Sequence, residues 1–173
     1  VSYGLAYGME AYGLGQRLNI ETEEAALILA AYFEAFPAVR AYMDRTVAEA
    51  RQRGYTETLF GRRRQIPELS SPNFRIRQAG ERQAMNAGIQ GLAADIFKVA
   101  LVRLDRALED RGMRSRLILQ VHDELIFEVP EKELDEAKKL VKHEMEAVGK
   151  QLGLSVPLKV DLGVGKNWRV AHP

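Results

Sequence analysis

Arg116-Leu117-Ile118-Leu119-Gln120-Val121-His122-Asp123-Glu124-Leu125-Ile126-Phe127-Glu128-Val129 decides how the chain folds. Two apolar runs rich in Leu, Ile, Val and Phe are separated by His122 and Asp123 alone. This predicts strands at Arg116 to Val121 and Glu124 to Val129 about a very tight turn. On the C-terminal side, Leu134, Ala137, Val141, Met145, Val148 and Leu152 recur at helical spacing, so Glu131 to Leu152 reads as an amphipathic helix. Val156 to Leu162 reads as a last strand. On the N-terminal side a long helix ends near Arg111, with Ile89, Ala93, Phe97, Ala100, Leu104 and Leu108 on one face. Strand-strand-helix-strand backed by a long helix implies an α+β fold: an antiparallel sheet with helices on one face.

Further from the hairpin the pattern is helical. Thr22 reads as an N-cap followed by Glu23 and Glu24, with Ala25, Ile28, Leu29, Tyr32 and Phe36 at helical spacing. Pro37 can open a second helix with Val39, Tyr42, Met43 and Val47 on its apolar face, ended by Gly54. Tyr55 to Phe60 alternates with threonines as a strand does, and Gly61-Arg62-Arg63-Arg64 reads as the turn after it. Ser70 to Asn73 is a loop. The first fifteen residues hold four glycines, and Tyr3, Tyr7 and Tyr12 fall near one face if they are helical. Each glycine weakens such a helix by about 1 kcal/mol relative to alanine, so close approach of a ligand or another helix is expected there. A start inside an apparent helix suggests a piece of something longer.

The 173 residues suit one domain or one large subdomain pair. With no cysteine, a disulfide scaffold, a zinc-thiolate site and a cysteine nucleophile are excluded. A content of 46% apolar and 28% charged residues reads as globular, and no apolar run approaches the roughly 20 residues of a membrane span. The net charge of +1 hides an asymmetry: only Arg169 among the arginines lies beyond residue 120, and only Lys98 among the lysines lies before it. Arginine's planar fork suits phosphate oxygens, so the front half can meet a polyanion; a solvated charged face is the plainer alternative.

Three constellations can carry chemistry. Asp123 and Glu124, beside His122, offer carboxylates where two apolar strands meet. Such a tip is a ready ligand for magnesium, which takes oxygen donors; a turn whose polar residues face water is the other reading. Arg82, Asn86 and Gln90 stand at i, i+4 and i+8 and share one helical face. All three can donate hydrogen bonds to the minor-groove acceptors that every base pair presents, checking duplex shape without reading sequence. Gly88 and Gly91 flank Gln90 and allow a backbone to come close. The third set is Arg62, Arg63 and Arg64, with Arg51, Arg53, Arg75 and Arg77 nearby, fit for phosphate contacts whose affinity falls with salt. For both basic sets a solvated polar surface is the alternative.

In this order the motifs resemble the C-terminal part of family A DNA polymerases, the bacterial DNA polymerase I type. The matching segments are Tyr3-Gly4-Leu5-Ala6-Tyr7-Gly8-Met9, Thr58-Leu59-Phe60-Gly61-Arg62-Arg63-Arg64, Arg82 through Asn86 to Gln90-Gly91, Ala93-Ala94-Asp95, Val121-His122-Asp123-Glu124, Val156-Pro157-Leu158 and Gly163-Val164-Gly165-Lys166-Asn167-Trp168. The resemblance covers the whole chain. It implies that residues 1–54 are the C-terminal part of a helical fingers subdomain and residues 55–173 the C-terminal part of a palm whose antiparallel sheet is backed by helices.

The resemblance also implies roles. Tyr3 and Tyr7 would close over the incoming deoxynucleoside triphosphate. Asp123, with Glu124 as its weaker neighbour, would hold two magnesium ions for in-line attack by the primer 3′-hydroxyl. His122 would touch the primer end; Arg82, Asn86 and Gln90 would track the minor groove; Arg62, Arg63 and Arg64 would hold backbone phosphates of primer-template DNA. The family's other palm aspartate, its thumb and its triphosphate-binding lysine and arginine are not in the sequence. The expectation is therefore a nucleotidyltransferase of DNA replication and repair as the intact parent, and no polymerisation without the N-terminal remainder. A cytoplasmic, nucleoid-associated bacterial setting without a membrane partner goes with it. A tyrosine at position 3, where many relatives carry phenylalanine, implies weak discrimination against dideoxynucleotides; an unchanged dideoxy-to-deoxy ratio in Tyr3→Phe would contradict this. The competing class is a non-catalytic, duplex-gripping palm-like module.

Overall fold

The turn at His122-Asp123 joins β3 (Arg116–Val121) to β4 (Glu124–Glu128) in an antiparallel pair, with Val121 opposite Glu124 and Arg116 opposite Glu128. A register shift between Leu117 and Leu119 interrupts the ladder, leaving Ile118 exposed. The computed structural model describes Gly4 and residues 8–172. Before the hairpin come α1 (Ala11–Leu18), α2 (Thr22–Ala35), α3 (Pro37–Arg53), β1 (Tyr55–Glu57), β2 (Arg63–Gln65), a 3-10 turn at Pro67–Ser70 and α4 (Phe74–Asp110). After it come a second 3-10 turn at Glu131–Glu133, α5 (Leu134–Gln151) and the short α6 (Trp168–Ala171). The chain divides into two units, Val1–Leu92 and Ala93–Pro173, so α4 contributes to both.

In the first unit, Asn19 stops α1 in the left-handed region, at φ 56° and ψ 47°. The chain then turns so that Leu14 packs on Ala25, with Met9, Ala11, Ile20, Leu29 and Tyr32 around them. Pro37 opens α3 and Gly54, at φ 77°, ends it, as the sequence predicts. Thr22 is the first residue of α2 and Glu21 its N-cap, one position earlier than expected. A second core joins Ala50 of α3, Ile66 just before the 3-10 turn, Leu69 within it, and Ala84 of α4. The arginine triplet corrects a boundary: Arg63 and Arg64 belong to strand β2, paired with Glu57 and Thr56, and only residues 58–62 make the loop.

In the second unit the buried stripe of α4 is Ala100, Leu104 and Leu108; the expected continuous face fails at Ala93, which is exposed, and at Ile89 in the first unit, which is 41% exposed. The apolar face of α5 buries Ala137, Leu140, Val141 and Val148. Arg103 of α4 donates to Glu144 of α5 at 2.9 Å. Residues 156–162, expected as a strand, join no ladder. Leu158 lies where a Cβ on Gly149 would meet it, and the Val160 amide donates to Glu146 at 3.1 Å. Leu158 and the Val160 amide therefore meet α5, while Val156 and Leu162 are exposed. The fold is α+β, with two separate two-stranded antiparallel sheets among the described residues.

Glu133 fastens the start of β3. Its carboxylate accepts from the Ser115 hydroxyl at 2.7 Å, the Ser115 amide at 2.9 Å and the Arg114 amide at 3.0 Å. The Ser115 hydroxyl, then the Arg114 amide, hold its pKa below the usual carboxylate value. A lowered folded pKa means stability present above the unfolded value of about 4.3 and lost as pH falls through the lower folded one. Thermal melts between pH 6 and pH 2 are expected to show a smaller acid-induced loss in Glu133→Gln than in the wild type.

No single described helix is long and apolar enough to cross a membrane. Helices α2 and α3 pass that test only together, with a 98° bend between them.

Candidate functional site

The residues singled out in the sequence fall into one patch in each unit, and the two tyrosines Tyr3 and Tyr7 lie outside the described residues.

In the second unit the patch is the hairpin tip. A two-residue connection between right-twisted strands needs positive φ, and His122 supplies it at 51°. That conformation costs a non-glycine residue about 1–2 kcal/mol and persists where the surroundings hold it. His122 and Asp123 are exposed and Glu124 is half-buried. Asp123 makes no hydrogen bond or ion pair among the described residues. Glu124 differs: its Oε2 accepts from the Trp168 indole N–H at 3.3 Å, and its Oε1 lies 2.8 Å from His172 Nε2. Sequence reading missed Trp168 and His172, both exposed, as neighbours of the tip.

No group of three or more His, Asp or Glu side chains gathers as a metal cage among the described residues. The donor set nevertheless fits magnesium, which is held by one or two carboxylates plus substrate phosphates and seldom by an all-protein cage. Asp123 is such a hard, unengaged oxygen donor.

In the first unit the patch lies on α4 and the β1–β2 hairpin. Arg82 stands 4.0 Å from Glu10, which also accepts from Gln78. Asn86 Oδ1 is buried and accepts no hydrogen bond among the described residues, a state rare enough to need a reason. Gln90 is exposed. Gly88 and Gly91 serve a different purpose from the one expected. A Cβ on Gly88 would lie 2.7 Å from the Tyr42 hydroxyl, and one on Gly91 would lie 2.5 Å from Thr58 Cγ2. The close approach is by the protein's own side chains.

The triplet is exposed, but each member has an internal partner. Arg62 donates to the Gly91 carbonyl at 2.8 Å, so the β1–β2 loop is tied to α4. Arg63 donates to Glu57 at 2.6 Å and lies over the Tyr55 ring at 4.8 Å; the Glu57 hydrogen bond chiefly raises its pKa. Arg64 reaches Gln83 at 3.4 Å. Arg51 pairs with Glu81, and Arg77 donates to the Ser71 carbonyl at 3.0 Å.

Residues 1–170 match the family described as DNA polymerase family A. The chain is 50% identical over 171 residues to DNA polymerase I of Mycobacterium bovis, covering 99% of this chain and 19% of that protein. It is 49% identical over 168 residues to the thermostable DNA polymerase I of Thermus filiformis, covering 97% of this chain and 20% of that protein. The chain thus spans about a fifth of the length of these relatives. It is similar to the solved POL domain of Pol1 from M. smegmatis in complex with DNA primer-template and dNTP. That similarity has a TM-score of 0.93 and 52% identity, over 98% of this chain and 30% of that one. Likeness at this level along nearly the whole length decides the matter: the chain belongs to DNA polymerase family A.

Proposed function

We propose that this chain forms the C-terminal fingers and palm portion, residues 1–54 and 55–173, of a template-directed DNA polymerase that extends a primer 3′ end by phosphoryl transfer. The observation that carries the reading is the exposed Asp123 carboxylate, unengaged among the described residues, at the tip of a two-residue hairpin in a chain of this family. Family membership and a relative solved with primer-template and dNTP support it. With the rest of the polymerase supplying a second carboxylate, the thumb and triphosphate-binding cations, the setting is the bacterial cytoplasm, at the nucleoid.

Asp123 holds its oxygens where the primer 3′ end and the triphosphate meet, and His122 bears on the primer terminus. Bound there, two magnesium ions would neutralise charge developing on the phosphates and ease loss of the 3′-hydroxyl proton. Arg82, Asn86 and Gln90 lie along the minor groove. Their donors meet acceptors common to all base pairs, so a mispair that shifts those acceptors is felt without sequence being read. Arg62, Arg63 and Arg64 hold backbone phosphates while their internal partners keep the guanidinium groups in place. Tyr3 and Tyr7 are read as closing over the incoming nucleotide, and the Tyr3 phenol predicts weak discrimination against dideoxynucleotides. Positioning and charge stabilisation do most of the catalytic work.

Primer extension by the full protein in magnesium, with duplex binding measured at two salt concentrations, tests this. The expected result is magnesium-dependent extension and duplex affinity that falls as salt rises. Salt-sensitive binding with no extension would assign the chain to a duplex-gripping module instead.

A further inference from the structure

The Glu124 carboxylate stands beside Asp123 in sequence, yet its surroundings are different in kind. Both of its oxygens are engaged by one short stretch of chain, Trp168 at one and His172 at the other. These two residues are four apart, at the start of α6 and at its C-cap, so they project from one side of a single helical turn. That turn is itself tightly held. Asn167 caps it by accepting from the Val170 amide at 3.1 Å. Gly163 and Gly165 let the preceding chain lie directly against Val170 and Ala171: a Cβ on Gly165 would stand 2.7 Å from the Ala171 nitrogen, and one on Gly163 would overlap the Ala171 carbonyl. Residues 163–172 thus form a compact knot from which Trp168 and His172 both reach Glu124.

At the other end of the same contact is a turn with little else to hold it. His122 sits in the left-handed region, and Asp123 makes no polar contact among the described residues. The position of the Asp123 carboxylate is inherited from its neighbours, and Glu124 is the neighbour that is tied down. We propose that Glu124 is an anchor rather than a metal ligand, and that Trp168 and His172 are positioning residues that fix the Asp123 carboxylate through it. This rests on the reading of Asp123 as the metal-holding residue.

The full protein, labelled with fluorotryptophan, provides a test independent of turnover. The Trp168 line in the fluorine spectrum is identified by its loss in Trp168→Phe. Glu124→Gln is expected to shift that line. Titrating magnesium into the wild type is expected to leave it unmoved, because the anchor does not leave to bind metal. Movement of the line on adding magnesium toward its Glu124→Gln position would overturn the proposal. In primer extension, Trp168→Phe and His172→Gln are expected to lower kcat by about 10-fold, the scale of outer-shell substitutions at metal sites, and to raise the magnesium concentration needed, while KM for the nucleotide stays within about 2-fold. Unimpaired turnover in both variants, with Asp123→Asn inactive, overturns the anchor alone. Full activity in Asp123→Asn overturns the polymerase reading beneath it.

Discussion

Asp123→Asn in the full polymerase is expected to reduce nucleotide incorporation by about 10³-fold or more while duplex affinity stays within a few-fold of wild type. Removing a single preorganised electrostatic partner of a transition state costs 10²–10³ in comparable sites, and a metal-holding carboxylate stabilises more charge than a hydrogen-bond donor does. Asparagine keeps the shape and one oxygen of aspartate but loses the negative charge, so the folded hairpin has no reason to change. Asp123 is exposed and makes no polar contact among the described residues, which separates this loss from any stability effect. Steady-state extension and duplex binding on the same preparation give the answer. Retained incorporation would rule out Asp123 as the metal-holding residue.

Ile66→Ala is expected to destabilise the fold by about 2–5 kcal/mol, and Ile66→Val by about 0.5–1.5 kcal/mol. Ile66 is 1% exposed and packs with Ala50, Leu69 and Ala84. Two of these three neighbours are alanines, short side chains that cannot reach into the space vacated. The Ile66 amide also donates to the Gly54 carbonyl at 2.9 Å, joining the exit of β2 to the end of α3. The arginine-bearing β1–β2 hairpin is thus secured from below by Ile66 and from the side by Arg62 on Gly91. Urea denaturation at neutral pH measures the loss, and the graded response from valine to alanine separates a cavity effect from a change in backbone.

The β3–β4 hairpin was legible because two apolar runs flank only two residues, leaving the chain one way to reverse. The helices α2, α3 and α5 were legible from their apolar spacing and from Pro37 and Gly54. Residues 156–162 were misread because Val156, Leu158, Val160 and Leu162 alternate as a strand does, yet Leu158 finds Gly149 and the Val160 amide finds Glu146, a side-chain acceptor in place of a ladder partner. Gly88 and Gly91 were read as admitting a backbone, but sequence holds no sign that the side chains of Tyr42 and Thr58 occupy the space. The Glu124 contact escaped for a different reason. Trp168 lies 44 residues from its partner, and no periodicity links a strand's first residue to a helix near the end of the chain.

The most direct test is a crystal of the full protein with a dideoxy-terminated primer on its template, an incoming nucleotide and manganese in place of magnesium. The account predicts an anomalous manganese peak at direct coordination distance, about 2.1 Å, from the Asp123 carboxylate, with duplex against Arg82 and Gln90. Manganese bound with no contact to Asp123 would contradict it.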